Sequence, residues 1–332
     1  SGSVSDGFRQ HADQKNIKFN TNAGIKISEN VETRFYFNSN YIDLELPNTV
    51  TKNQALSNPE QAKASALTDD EHRDIVSYRF SNKTTFDLGG GHKMDVGAFA
   101  FWKDLFHPIT SFVGVIGQES VNYGLFTQNS GTYKVGNHLN RYRFGVTSHL
   151  GDTDAKVWEN NNGKAGVLTS DTQQSAQNVV VYGENSFYIK PELALVTTLQ
   201  YIWANRDVFD NFTPSETDSS DYESWNPKIG LLYKPSEKIQ IFGNISKSYE
   251  PPDFSDLTQG STAGFISLEA QDAWTLEVGT RGEQGPVAWD ISLYRAWISD
   301  EILKFTTGGG VPATGFNADE TVHQGAEVGV GI

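Results

Sequence analysis

The stretch Val31-Glu32-Thr33-Arg34-Phe35-Tyr36-Phe37-Asn38-Ser39-Asn40-Tyr41 decides the fold class. Its odd positions carry Val31, Phe35, Phe37 and Tyr41, with Thr33 and Ser39 between them, while its even positions carry Glu32, Arg34, Asn38 and Asn40 around Tyr36. Successive side chains of an extended strand point to opposite faces, so one face of this segment is greasy and the other wet. A helix would separate the same residues at a period of about 3.6. The alternation recurs with Ile239, Ile241 and Ile245 against Gln240, Asn244 and Ser246. It recurs again with Val287, Trp289, Ile291 and Leu293 against Asp290 and Ser292, and with Trp274, Leu276 and Val278 against Thr275 and Glu277. The expectation is an all-β chain.

Composition agrees and narrows the class. Twenty Phe, 13 Tyr and 7 Trp beside 31 Gly favour pleated strands and tight turns. The absence of cysteine removes disulfide frameworks, thiolate metal sites and a cysteine nucleophile. A formal charge of −15 argues against a nucleic-acid partner, which needs a clustered basic face. The apolar runs, such as 98–102 and 179–182, are far shorter than the roughly 18 to 20 residues of a membrane helix. A membrane-spanning barrel strand needs only about 9 to 11 residues and alternates its faces, so low average hydropathy does not speak against a barrel. Residues 1–10 lack a basic start and an apolar centre, so no signal peptide is read there.

The connections between alternating segments are themselves alternately short and long. Short ones fall at 28–30, 89–92, 190–192, 235–237 and 284–286, and long ones at 44–73, 105–118, 207–223 and 250–272. Outer-membrane barrels have short periplasmic turns and long external loops, whereas a soluble sandwich has no reason to lengthen every second loop. The segments at 16–27 and 238–249 also exceed the usual soluble strand of roughly 5 to 6 residues. About 13 or 14 strands are counted.

In the second half particular residues resemble a known family. Asn226-Pro227-Lys228-Ile229-Gly230-Leu231-Leu232-Tyr233, then Phe242-Gly243-Asn244-Ile245-Ser246 and Ser248-Tyr249-Glu250-Pro251-Pro252-Asp253-Phe254, are similar to the barrel of TonB-dependent receptors. So are Leu276-Glu277-Val278-Gly279-Thr280-Arg281-Gly282 and His323-Gln324-Gly325-Ala326-Glu327. Tyr182-Gly183-Glu184-Asn185-Ser186, with Tyr201 and Arg206, supports the first half. The flavour is that of the ferric dicitrate and ferric siderophore receptor branch. The resemblance implies an antiparallel transmembrane β-barrel of about 22 strands, of which residues 1–332 would be a piece without the plug domain and the C-terminal closing strands. It implies a bacterial outer-membrane location and active transport of a ferric chelate, siderophore or ferric citrate, energised by TonB through a plug and coupling box outside this chain. Outer-membrane lipid and lipopolysaccharide would surround it. No enzymatic activity and no cofactor are expected, with iron present only inside the bound chelate. A passive porin, with a constricting loop of opposed charges, is the first alternative. The second is a barrel hydrolase of the outer-membrane phospholipase type, which Ser148 and His149 argue against, because neighbours in a strand face opposite ways.

Candidate site residues follow from chemistry that suits an anionic chelate. Arg141, Arg143 and Arg206 are placed near the outer rim, where guanidinium groups could grip carboxylates in bidentate fashion. The alternative for these arginines, and for Arg34 and Arg281, is to brace the wall against carboxylates such as Glu32 and Glu277. His107, before Pro108 at the base of a long connection, is a possible neutral donor; the other six histidines read as ordinary polar residues. Asp152-Thr153-Asp154 opens like a calcium loop, but Lys156 and Val157 stand where a ligand and a glycine are needed. Gly89-Gly90-Gly91 reads as a hairpin turn. Trp102, Phe106, Trp203, Tyr249 and Trp297 read as interfacial girdle residues.

Overall fold

The computed structural model describes residues 1–258, 265–305 and 314–332. Its strands are β1 (Gly2–Ser5), β2 (Gln14–Ser28), β3 (Val31–Glu45), β4 (His72–Gly89), β5 (His92–Pro108), β6 (Val115–Val135) and β7 (His138–Asn161). They continue as β8 (Lys164–Lys190), β9 (Leu193–Asp210), β10 (Asp218–Ser236), β11 (Ile239–Glu250), β12 (Gln271–Gln284), β13 (Val287–Phe305) and β14 (Thr314–Gly331). All 14 lie in one antiparallel sheet in sequence order, hairpin after hairpin, as in a barrel wall. Three short helices, α1 (Lys52–Ser57), α2 (Ala64–Thr68) and α3 (Phe254–Leu257), sit in the long connections.

Register assigns the faces. Ile241, Thr280, Ile291 and Val328 are successive cross-strand partners, as are Ile245, Leu276, Arg295 and Gln324. One face therefore collects Ile241, Ile245, Leu276, Trp289, Ile291 and Leu293. Ile241, Leu276 and Leu293 are 46%, 45% and 53% exposed. So much exposed apolar surface, in a chain whose mean hydropathy is −0.46, is a surface made for lipid. The opposite face collects Asn244, Asp290 and Ser292, and Asn244 donates to Glu277 at 3.2 Å. This is the lumen side. It also carries the small buried cluster of Ala204, Tyr222 and Ala270.

Turn chemistry fixes the ends. At 284–287 Gly285 takes φ +59°, in the left-handed region, which lets the chain reverse tightly between β12 and β13. Girdle aromatics mark the other side of the apolar band: Tyr78 stacks on Trp102 at 5.6 Å, and Tyr201 packs against Trp225 at 4.8 Å with the rings tilted, all on the lipid face. Tyr249 departs from the expected girdle role, because it packs against the buried Tyr222 cluster. Two expected long loops are also shorter than the sequence suggests. The connections are 109–114 and 211–217, because the flanking strands β5 and β6 run to 17 and 21 residues and β9 and β10 to 18 and 19. Above the membrane both faces of a hairpin meet water, so the apolar alternation fades while the backbone ladder continues.

Candidate functional site

Three outer segments enclose a cavity of about 330 Å³ on the lumen side of the wall. The tall β7–β8 hairpin contributes Lys156 and Thr172, the 211–217 connection contributes Phe212 and Glu216, and the 251–270 segment contributes Phe254 and Phe265. Asp210, the last residue of β9 and 8% exposed, also lines it. Its carboxylate accepts from the backbone N–H groups of Phe212 and Thr213, both at 2.7 Å, and so fixes the 211–217 connection.

The described parts of the 251–270 segment, 251–258 and 265–270, are held at several points. Arg206, 9% exposed, donates from Nε to the Pro252 carbonyl at 3.1 Å and from its terminal nitrogens to the carbonyls of Gln177 and Asn205 and to Asn178 Oδ1. Helix α3 opens with a reciprocal cap: Asp253 accepts from the Asp256 N–H, and Asp256 accepts from the Asp253 N–H, each at 3.1 Å. Lys304 on β13 reaches down to Asp256 at 2.9 Å and Ser255 at 2.7 Å. Further along, Tyr222 donates its hydroxyl to the Leu268 carbonyl, and Asn317 bonds both backbone groups of Glu269. Burial alone would raise the Asp253 pKa, but hydrogen bonds from Ser255, the Lys304 charge and the Asp256 N–H outweigh it and hold the carboxyl below its usual range. The segment 46–71 is pinned by similar chemistry, Arg9 donating to the carbonyls of Pro47, Asn48 and Gln61.

The four residues singled out by sequence do not form one site. Arg141 and Arg143 follow the short 136–137 turn by a few residues, at the opposite end of the wall from the cavity. Their expected position at the outer rim is thus corrected: the β6–β7 connection is a tight turn, which sequence alternation alone did not orient. Arg141 stacks over Tyr188 at 5.3 Å, and Arg143 lies across from Glu184. Arg206 is at the outer end but spends its donors on carbonyls. His107, 7% exposed, is also at the outer end, with Nδ1 at 2.6 Å from the His72 carbonyl and Nε2 at 3.0 Å from an Arg73 terminal nitrogen. A guanidinium can only donate, so Nε2 is the acceptor and the ring is neutral. Both ring nitrogens are engaged. Arg34 pairs with Glu32 at 3.2 Å and Arg281 donates to Gln240, which is bracing. The Asp152–Lys156 stretch lies within β7 rather than in a loop.

The model of the family described as "TonB dependent receptor-like, beta-barrel" matches residues 8–332. The chain belongs to this family. Like its TonB-dependent relatives it is a Gram-negative outer-membrane β-barrel protein, of a transporter rather than an enzyme family. Over 116 residues it is 32% identical to the vitamin B12 transporter BtuB of Vibrio vulnificus, covering 34% of this chain and 18% of that protein. Among solved structures it is similar to the unliganded ferric citrate transporter FecA, with a TM-score of 0.82 at 12% identity over 99% of this chain and 51% of that one. The ferric-catecholate import receptor Fiu of E. coli K12 gives 0.74 at 12% identity, over 99% of this chain and 57% of that one. The chain spans about half the length of these two receptors, and at such identity the likeness shows the fold. Sequence reasoning missed Phe212, Phe254, Phe265 and Lys156 as cavity residues. The Asp253-Phe254-Ser255-Asp256 capping pattern was the signal that could have located α3 and its neighbours.

Proposed function

We propose that this TonB-dependent receptor barrel serves active import of a ferric chelate, siderophore or ferric citrate, with TonB as the energy-coupling partner and iron entering only within the chelate. The observation that carries the reading is the outer cavity, walled by segments anchored through Arg206, Lys304 and Tyr222, above a lipid-facing wall. An anchored vestibule binds with little ordering cost, as a receptor for a scarce solute requires. In the whole protein residues 1–332 supply barrel wall and outer loops; the plug, the coupling box and the closing strands are assigned to the remainder of the parent. His107 and Arg206 act here through the loops they hold, while Arg141 and Arg143 would meet a cargo only after it has left the vestibule. Lipopolysaccharide and phospholipid are the proposed surroundings of the apolar band.

The test is uptake of radioactive iron by iron-starved cells carrying the whole receptor, with and without TonB. Import that needs both supports the reading. Iron entry that persists without TonB, together with steady conductance in planar bilayers, would instead indicate a passive channel.

A further inference from the structure

Resting on that reading, we infer that the vestibule takes an uncharged chelate with an apolar or aromatic face, not a polyanionic one. The lining brings two carboxylates, Asp210 and Glu216, whereas Lys156, two residues from Asp154 on β7, shares the outward face of that strand and turns its ammonium away from the cavity. An anion entering this space would lose hydration and meet like charge, with no ammonium of the described lining turned toward it. The nearby guanidinium does not change the balance. Arg206 already directs four of its five N–H groups to Pro252, Gln177, Asn205 and Asn178, and the one left cannot clasp a carboxylate with two parallel bonds. Arg141 and Arg143 lie at the far end of the wall.

What the cavity does offer is aromatic surface. Phe212, 55% exposed, comes from the 211–217 connection, and Phe254 and Phe265 come from the segment that Arg206 and Lys304 hold in place. Three rings from two anchored segments make contact area without a matching cost in loop ordering.

The experiment uses the whole receptor, purified in an uncharged detergent, and reads binding of four probes by fluorescence quenching. The probes are a neutral ferric trihydroxamate, ferric dicitrate, an anionic ferric tris-catecholate and cyanocobalamin, which has no net charge and holds no iron. The expected result is that the trihydroxamate binds at least about ten-fold tighter than either anion, with an affinity that stays flat from about 0.05 to 0.5 M salt. Phe212→Ala should weaken it by about ten-fold, and Glu216→Lys should strengthen the anions while leaving the neutral probe unchanged. Tighter binding of ferric dicitrate, or anion affinities indifferent to Glu216→Lys, would overturn the inference and leave the transport reading intact. Binding of cobalamin alone would keep the uncharged class and overturn iron as the cargo. Failure of all four probes, in a receptor that retains heat-modifiable gel mobility, overturns both.

Discussion

Arg206 shows how far a single residue can be read from its type. Its charge and its place at a strand end suggest an anion site, yet its chief partner is the carbonyl of Pro252, 46 residues away, which local spacing could not reveal. Removing it leaves buried carbonyls without donors, so Arg206→Ala should destabilise the anchored segment by roughly 2 to 4 kcal/mol. Limited proteolysis would show this as new cleavage within 251–270 while heat-modifiable mobility of the barrel persists. Arg206→Lys should rescue little, since an ammonium lacks the planar fork. Unaltered protease resistance in both variants would mean that Lys304 and Tyr222 suffice to hold the segment. Asp253 gives a complementary pH dependence. Its folded pKa lies below the unfolded value, so its contribution is present above the ordinary aspartate range and disappears as pH falls through the folded pKa. Amide hydrogen exchange over 253–258 should accelerate on acidification below about pH 4, and Asp253→Ala, at a cost of about 1 kcal/mol, should reach that faster exchange already at neutral pH. Exchange that is slow and pH-independent in both proteins, after correction for intrinsic rates, would remove the cap from the account of α3.

At the level of strands, alternation made β2, β3, β11, β12 and β13 legible, because each presents lipid-facing apolar residues at every second position. The hairpin of β7 and β8 was less so. Its outer half is polar on both faces, and its tip at 161–164 is a tight turn around Asn162 and Gly163 rather than a long loop. Nor did the sequence disclose the packing of the lumen face, where glycine and phenylalanine on adjacent strands fit together. Gly97 is paired with Phe126, and a Cβ on Gly97 would stand 2.3 Å from the Phe126 ring. The ring thus lies across the neighbouring backbone, where only glycine leaves room, and covers a ladder that would otherwise be open to water. Gly97→Val should force Phe126 off its rotamer at a cost of about 1 to 3 kcal/mol, and the double variant Gly97→Val with Phe126→Ala should recover part of it. Midpoints of thermal unfolding in detergent decide the matter; additive losses would show that ring and glycine are not coupled.

For the whole wall, the charge of −15 is distributed unevenly, and that has a measurable consequence. On the lumen face basic residues recur, with Arg34 directly opposite Lys83, and neighbouring acids answer them: Arg34 to Glu32 at 3.2 Å and Lys83 to Asp95 at 3.3 Å. On the lipid side, just beyond the aromatic girdle, carboxylates face one another instead. Asp43 is the direct partner of Asp74, and Asp104, Glu119 and Asp154 form a continuous cross-strand row. Like charges directly opposite each other destabilise a sheet, by an amount comparable to the roughly 0.2–1 kcal/mol that a favourable pair contributes. Salt screens such exposed repulsion, since the Debye length shrinks from about 30 Å at 0.01 M to under about 8 Å at 0.3 M. The same salt weakens the exposed lumen pairs, but each of those is worth little, about 0–1 kcal/mol. Repulsion within the rows and across a strongly negative surface should therefore dominate. Thermal stability of the whole receptor in uncharged detergent is expected to rise with sodium chloride over that range. Asp104→Asn, which removes one repulsive partner and leaves the Trp102–Glu119 hydrogen bond at 3.1 Å intact, should raise stability at low salt and flatten the dependence. Stability that falls with salt, unchanged by Asp104→Asn, would mean that the lumen ion pairs outweigh the acidic rim and that the rows are relieved in some other way.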